Sequence, residues 1–81
     1  MANEVEFTAS GKRYRLRRAD VIARHKKVEP GAIRAHAVEI EGVLHPIKEA
    51  FARASGIDLL DFNTNLARRV FSQLDFKVKR R

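Results

Sequence analysis

Eighty-one residues, 44% of them apolar, make one domain with a thin core. There is no cysteine and no apolar run near the ~20 residues that span a bilayer, which argues against a disulfide framework, a thiolate metal site and a membrane-spanning helix. Seventeen Lys and Arg against ten Asp and Glu leave a net charge of +7 and a pI near 10.6, which points to an anionic partner: nucleic acid first, an anionic membrane or a ribosome after it.

The stretch "VEFTASGKRYRL" alternates and predicts a β-hairpin. Ser10-Gly11 supplies a two-residue turn, which sets Phe7 opposite Tyr14 and Val5 opposite Leu16 on one face. On the other face Glu6 falls opposite Arg15, and Glu4 opposite Arg17. That arginine stripe reads as cross-strand ion pairing, with phosphate contact the alternative. "RADVIARHKK" predicts a helix over 18–27, with Asp20 in its first turn and Lys26 and Lys27 in its last, stopped by Pro30-Gly31. "IRAHAVEIEGVLHP" predicts a second hairpin that turns at Glu41-Gly42 and ends at Pro46. His36, Val38 and Ile40 share one of its faces; Ala37, Glu39 and Glu41 share the other.

"IKEAFARAS" predicts a helix over 47–55 with Ile47, Ala50, Phe51 and Ala54 as its apolar stripe and Gly56 as its stop. "IDLLDFN" connects it to a last helix over 63–74, capped by Asn63 or Asp61. "FKVKRR" closes as a short strand, Phe76 and Val78 inward, Lys77 and Lys79 outward, with disorder expected at the last two arginines. The predicted order is β-β-α-β-β-α-α-β: a small α+β domain over 1–81, two hairpins, three helices and a C-terminal strand. Its last two helices are helix-turn-helix-like, with a connector longer than the strict motif allows.

The last helix carries the chemistry. Leu66, Ala67, Val70, Phe71 and Leu74 occupy one arc. At about 100° per residue, Asn65, Arg68, Arg69 and Ser72 fall on the opposite arc, with Thr64 and Gln73 at its edges. Asn and Arg read adenine and guanine edges bidentately, and an α-helix fits the major groove. Between Asp61 and Asp75 there is no acid, so these cations lack local partners; the alternative is an ordinary solvated basic face. Lys48, in the first turn of the preceding helix, opposes the helix dipole, and with the free N–H groups after Pro46 it suits one phosphate. Exposure without a role is the alternative. Lys77 and Lys79 extend the cationic set.

Other chemistries are poorly served. His36 and His45 approach across the second hairpin, but zinc needs two further ligands and only Glu39 and Glu41 are near, on the other face. A packed or edge histidine is the simpler reading, and donation from His45 to a phosphate or base stays open. The chain has no Gly-rich phosphate loop, no nucleophile–base arrangement and no carboxylate cluster for a nuclease metal. No enzyme, cofactor, metal site or small-molecule substrate is expected. Low aromatic content and the absence of Trp weigh against a stacking platform for single strands. "MANEVEF" lacks the basic and apolar regions of a signal peptide, and the lack of cysteine suits a reducing cytoplasm.

The second half, about residues 36–78, carries Gly42-x-x-His45-Pro46-x-Lys48-x-Ala50, then Ser55-Gly56, then Asp61-Phe62-x-Thr64-x-x-Ala67-Arg68-Arg69, then Leu74-x-Phe76-x-Val78. This pattern resembles a small basic domain of actinobacterial proteins, found alone and as the N-terminal module of modification-dependent restriction nucleases. The resemblance implies DNA binding and, in some members, a preference for 5-methylcytosine. It carries contact roles to Lys48, Thr64, Asn65, Arg68 and Arg69. Asp75 departs from the pattern, which has Gly after Leu74. The resulting expectation is a non-catalytic, cytoplasmic, nucleoid-associated protein that binds double-stranded DNA, including methylated DNA, through Lys48, Thr64, Asn65, Arg68, Arg69, Ser72, Lys77 and Lys79. The alternatives are a module for structured RNA and a protein-interaction subunit that docks an acidic partner.

Overall fold

The computed structural model describes residues 3–33 and 35–80. Its elements are β1 (Glu4–Ala9), β2 (Lys12–Arg17), α1 (Arg18–Arg24), β3 (His36–Ile40), β4 (Val43–Pro46), α2 (Ile47–Ser55), a 3-10 turn (Leu59–Asp61), α3 (Thr64–Gln73) and β5 (Lys77–Arg80). This is the predicted α+β order. Arg34, at the head of the segment read as the second hairpin, and Arg81, at the end of the basic tail, lie outside the described residues, as do Met1 and Ala2.

Both hairpins turn through a polar residue followed by glycine. Ser10 and Glu41 have φ of 51°, and Gly11 and Gly42 have φ of 78°. Two successive positive φ values are what a two-residue turn needs to match the right-handed twist of its strands, and glycine adopts the second without a Cβ clash. The β1–β2 register is the predicted one, Phe7 opposite Tyr14 and Glu6 opposite Arg15. This hairpin is a sheet by itself; the second hairpin gains a third, antiparallel strand in the order β4-β3-β5. Arg80 sits opposite His36 in that sheet, so it is part of the ladder and not the disordered end expected from the sequence.

Helix α1 stops at Arg24, three residues before the predicted end at Lys27. The His25 imidazole makes a hydrogen bond of 2.7 Å to the Val21 carbonyl. The His25 and Lys26 N–H groups reach back only three residues, to Ile22 and Ala23, and Lys27 turns left-handed at φ 61°. Side-chain competition and an early tightening of the last turn thus end the helix before Pro30 is reached.

Helix α3 begins where Asn63, and not Asp61, caps it: the Asn63 side chain accepts from the Leu66 N–H at 2.9 Å. Its exit is a Schellman turn. The Phe76 N–H donates to the Phe71 carbonyl and the Asp75 N–H to the Ser72 carbonyl, both at 3.0 Å. Asp75 carries the left-handed φ of 67°, and the Phe71 and Phe76 rings meet edge-on at 5.9 Å. Asp75 therefore occupies the backbone position where glycine is usual.

One hydrophobic core joins these elements, with Phe51 of α2 near its centre. The Phe51 ring meets Phe7 of β1 at 5.4 Å, Phe62 of the connector at 4.7 Å and Phe71 of α3 at 5.6 Å. Because α2 and the connector hold α3 through these rings, the outer arc of α3 is fixed relative to the first hairpin and the start of α2.

Candidate nucleic-acid interface

The apolar arc of α3 is inside and the polar arc outside. Ala67, Val70 and Phe71 are fully buried, and Asn65, Arg68, Arg69 and Ser72 are exposed. Thr64 and Leu66, at the two edges of the arc, are half-buried. Each edge of the helix borders a groove. On the Thr64 side, a cleft of about 450 Å³ is lined by Lys48, Pro46, His36 and Leu59. The Lys48 ammonium lies 5.5 Å from the centre of the Phe62 ring, which places it beside the first turn of α3. On the other side, Asn65, Leu66 and Arg69 line a groove of about 350 Å³ together with Thr8, Ala9 and Ser10 of the first hairpin and Asp61. Lys48, Thr64, Asn65, Arg68, Arg69 and Ser72 thus form one surface around the start and outer face of α3.

The two sets of arginines differ in their partners. Glu6 accepts from Arg13 at 2.9 Å and from Arg15 at 2.8 Å, and Glu4 pairs with Arg15 at 2.8 Å and Arg17 at 3.2 Å. The hydrogen bond from Arg15, then that from Arg13, holds the Glu6 carboxyl below its ordinary range. These arginines spend their charge within the hairpin, which agrees with the ion-pairing reading of the stripe. Arg68 and Arg69 make no salt bridge among the described residues. A cation with no protein counter-ion remains available to an external anion.

Lys77 and Lys79 fall apart from this surface. Lys79 pairs with Glu39 at 3.4 Å, and Lys77 lines a separate groove with Glu39, Glu41 and Asp75. Both belong to a patch of mixed charge on the three-stranded sheet. His45 is buried too, 1% exposed, and so is closed to phosphate or base. Its ring partner is His25, at 4.9 Å in a T-shaped contact, and not His36 as the sequence suggested. Strand register explains this: His45 lies opposite Val38 on the core side of the hairpin, where α1 ends. Among the described residues no three of His, Cys, Asp or Glu gather to hold a metal ion, and no helix is long and apolar enough to cross a membrane.

The leucines of the connector are not among the residues expected to form a site. Leu60 is 93% exposed, against 36–43% for the other exposed large apolar residues Val43, Leu44 and Leu59. Asp61, free of the capping role, makes no side-chain hydrogen bond or ion pair among the described residues. The available signal was "DLLD" itself: two leucines between two acids, outside any helical or strand periodicity. Comparison with protein-family models, curated proteins and solved structures finds no match for this chain.

Proposed function

We propose that this protein is a non-catalytic module for double-stranded DNA whose reading element is α3. The observation that carries the proposal is the contrast in arginine partners: those of the first hairpin are neutralised by Glu4 and Glu6, while Arg68 and Arg69 share an exposed arc with Asn65 and Ser72 and make no salt bridge among the described residues. In this reading Asn65 and at least one of the two arginines reach base edges, while Thr64, Ser72 and Lys48 hold phosphates. The start of α2 adds donors for one phosphate, because Pro46 precedes it and no side chain caps it. The likeness to the small basic actinobacterial domain supports the same reading and adds a preference for 5-methylcytosine. In the cell the partner would be nucleoid DNA.

The test is titration of a labelled duplex with Arg68→Ala and Arg69→Ala. Each loss of a charged contact should weaken binding about ten- to a hundredfold, corresponding to roughly 1–3 kcal/mol. Thermal stability should change by no more than about 0.5 kcal/mol, as for other exposed positions. Wild-type affinity in both variants would sink the assignment of α3. A competing RNA duplex that displaces the DNA at equal concentration would move the reading to structured RNA.

A further inference from the structure

We infer that the tip of the first hairpin is a second DNA-contacting element, in which Thr8, Ser10 and Lys12 hold the phosphate backbone of the strand that runs along one side of α3. This rests on the reading of α3 as the helix in the major groove. It extends the interface to a segment outside both α3 and the stretch, about residues 36–78, that carries the resemblance.

The tip stands against the proposed reading helix. Thr8, Ala9 and Ser10 share a groove of about 350 Å³ with Asn65 and Arg69, two residues of the exposed arc of α3. Packing fixes that placement. Ala9 is buried, and the Phe7 ring, two residues back on the same strand face, meets Phe51, which in turn meets Phe71 of α3. Lys12 lies opposite Ala9 in the hairpin register. Directly opposed side chains leave the same face with Cβ atoms about 5 Å apart, so the Lys12 side chain starts at the rim of this groove. A Cβ added at Gly11 would meet nothing within 4 Å, so the approach to the tip is open.

The polar groups gathered there have no partner in the protein. Thr8, Ser10 and Lys12 are exposed, and their side chains make no hydrogen bond or ion pair among the described residues; the same holds for Asn65 and Arg69. Two hydroxyls, one amide and two cations stand against a single acid, Asp61. That balance suits an anion with several acceptor oxygens. Within the hairpin the contrast is one of faces: Arg13, Arg15 and Arg17 on the outer face are paired with Glu4 and Glu6, and Lys12 on the other face is not.

The geometry of the duplex says which anion. An α-helix seated in the major groove has a phosphate backbone on either side of it. Lys48 and the start of α2 lie on the Thr64 side of α3 and serve one backbone; the hairpin tip lies on the other side and serves the second. Hydroxyls and lysines hold phosphates without reading sequence, so the tip fixes the seat of α3 and leaves base choice to the helix.

The test is anisotropy titration of the full chain on two duplexes of unrelated sequence, each at several salt concentrations. Lys12→Ala should weaken binding to both duplexes by the same factor and make the log–log salt slope shallower by about 1, and Lys12→Arg should keep wild-type affinity. Thr8→Val, which removes a hydroxyl and no charge, should weaken binding to both duplexes at unchanged slope. Melting temperatures should stay at the wild-type value, both positions being exposed. Arg15→Ala, the control on the outer face of the same hairpin, should match wild type in affinity and slope. Wild-type affinity and slope in Lys12→Ala, with binding still weakened by Arg68→Ala or Arg69→Ala, overturns this inference and leaves α3 as the DNA-binding element. A Lys12→Ala loss confined to one duplex also overturns it, because the lysine would then read bases. No duplex binding by the wild-type chain at low salt brings down the functional reading along with it.

Discussion

Arg15 and Arg69 are both exposed arginines, and their neighbours give them different work. Arg15 sits between Glu4 and Glu6 at 2.8 Å from each. Removing it deletes two exposed cross-strand ion pairs, but Arg13 still holds Glu6 and Arg17 still holds Glu4, so Arg15→Ala should lower the melting temperature only slightly and leave duplex affinity within experimental error. A large loss of binding in Arg15→Ala at unchanged stability would place the interface on the outer face of the first hairpin. His25 and His45 are the residues that tie stability to pH. Burial pushes both imidazoles below their ordinary value, with Arg53 adding to the effect and each His45 proton opposed by His25. Each therefore takes up its proton at lower pH in the fold than in the unfolded chain, where the ordinary value is near 6.5. Below that value the unfolded state binds more protons, so stability is complete above it and falls as the pH drops through and below it. Melting temperatures at about pH 7.5 and about pH 5.5 should show the decline, and His45→Leu should shrink it. An equal decline in that variant would mean other groups are responsible.

At the scale of elements, the first hairpin docks as a unit through one aromatic seam. Phe7 stacks on Tyr14 across the strands at 5.7 Å and meets Phe51 of α2 at 5.4 Å. Phe7→Ala should cost about 3 kcal/mol, in the range for a buried aromatic, read as a lower denaturation midpoint. The join between α3 and β5 can be tightened. Asp75 holds a left-handed φ that glycine adopts freely. Asp75→Gly should stabilise the fold by roughly 0.5–1 kcal/mol, the relief of that conformation being partly offset by a more flexible unfolded chain. Its groove lies apart from the outer arc of α3, so duplex affinity should not change. A destabilised Asp75→Gly protein would mean that the Asp75 side chain makes a contact worth more than the backbone relief.

Over the whole molecule the charge is unevenly committed. The net +7 counts every cation equally, but Arg13, Arg15, Arg17 and Lys79 are paired with carboxylates. The cations left on the proposed surface are Lys48, Arg68 and Arg69, with uncapped N–H groups at the start of α2. If these groups neutralise about three to five phosphates, the log–log slope of affinity against salt should be roughly −3 to −5. A slope near zero would rule out phosphate contact altogether, and a slope much steeper would require cations beyond this surface to reach the DNA.

Local rules settled much of this protein. Alternation with Ser10-Gly11 fixed the first hairpin to its register, because a one-residue slip would bury Glu4 and Glu6. The 3.6-residue period of α2 and α3 sorted buried from exposed side chains, and with it the polar arc from Asn65 to Ser72. Those signals lie within a few residues of one another, which is why sequence carries them. What depended on distant segments was not legible. Sequence put His45 with His36 on one hairpin, but the end of α1 folds over the sheet and His25 takes that place. Lys77 and Lys79 read as part of the cationic set until β5 paired with β3 and laid them beside Glu39. The exposure of Leu60 and the freedom of Asp61 appear only once Asn63 takes the cap and Ile57 and Phe62 are drawn into the core on either side. Composition counts charges and leucines, and periodicity assigns them to faces. Only packing between segments far apart in the chain decides which charges are already neutralised and which leucine is left in water.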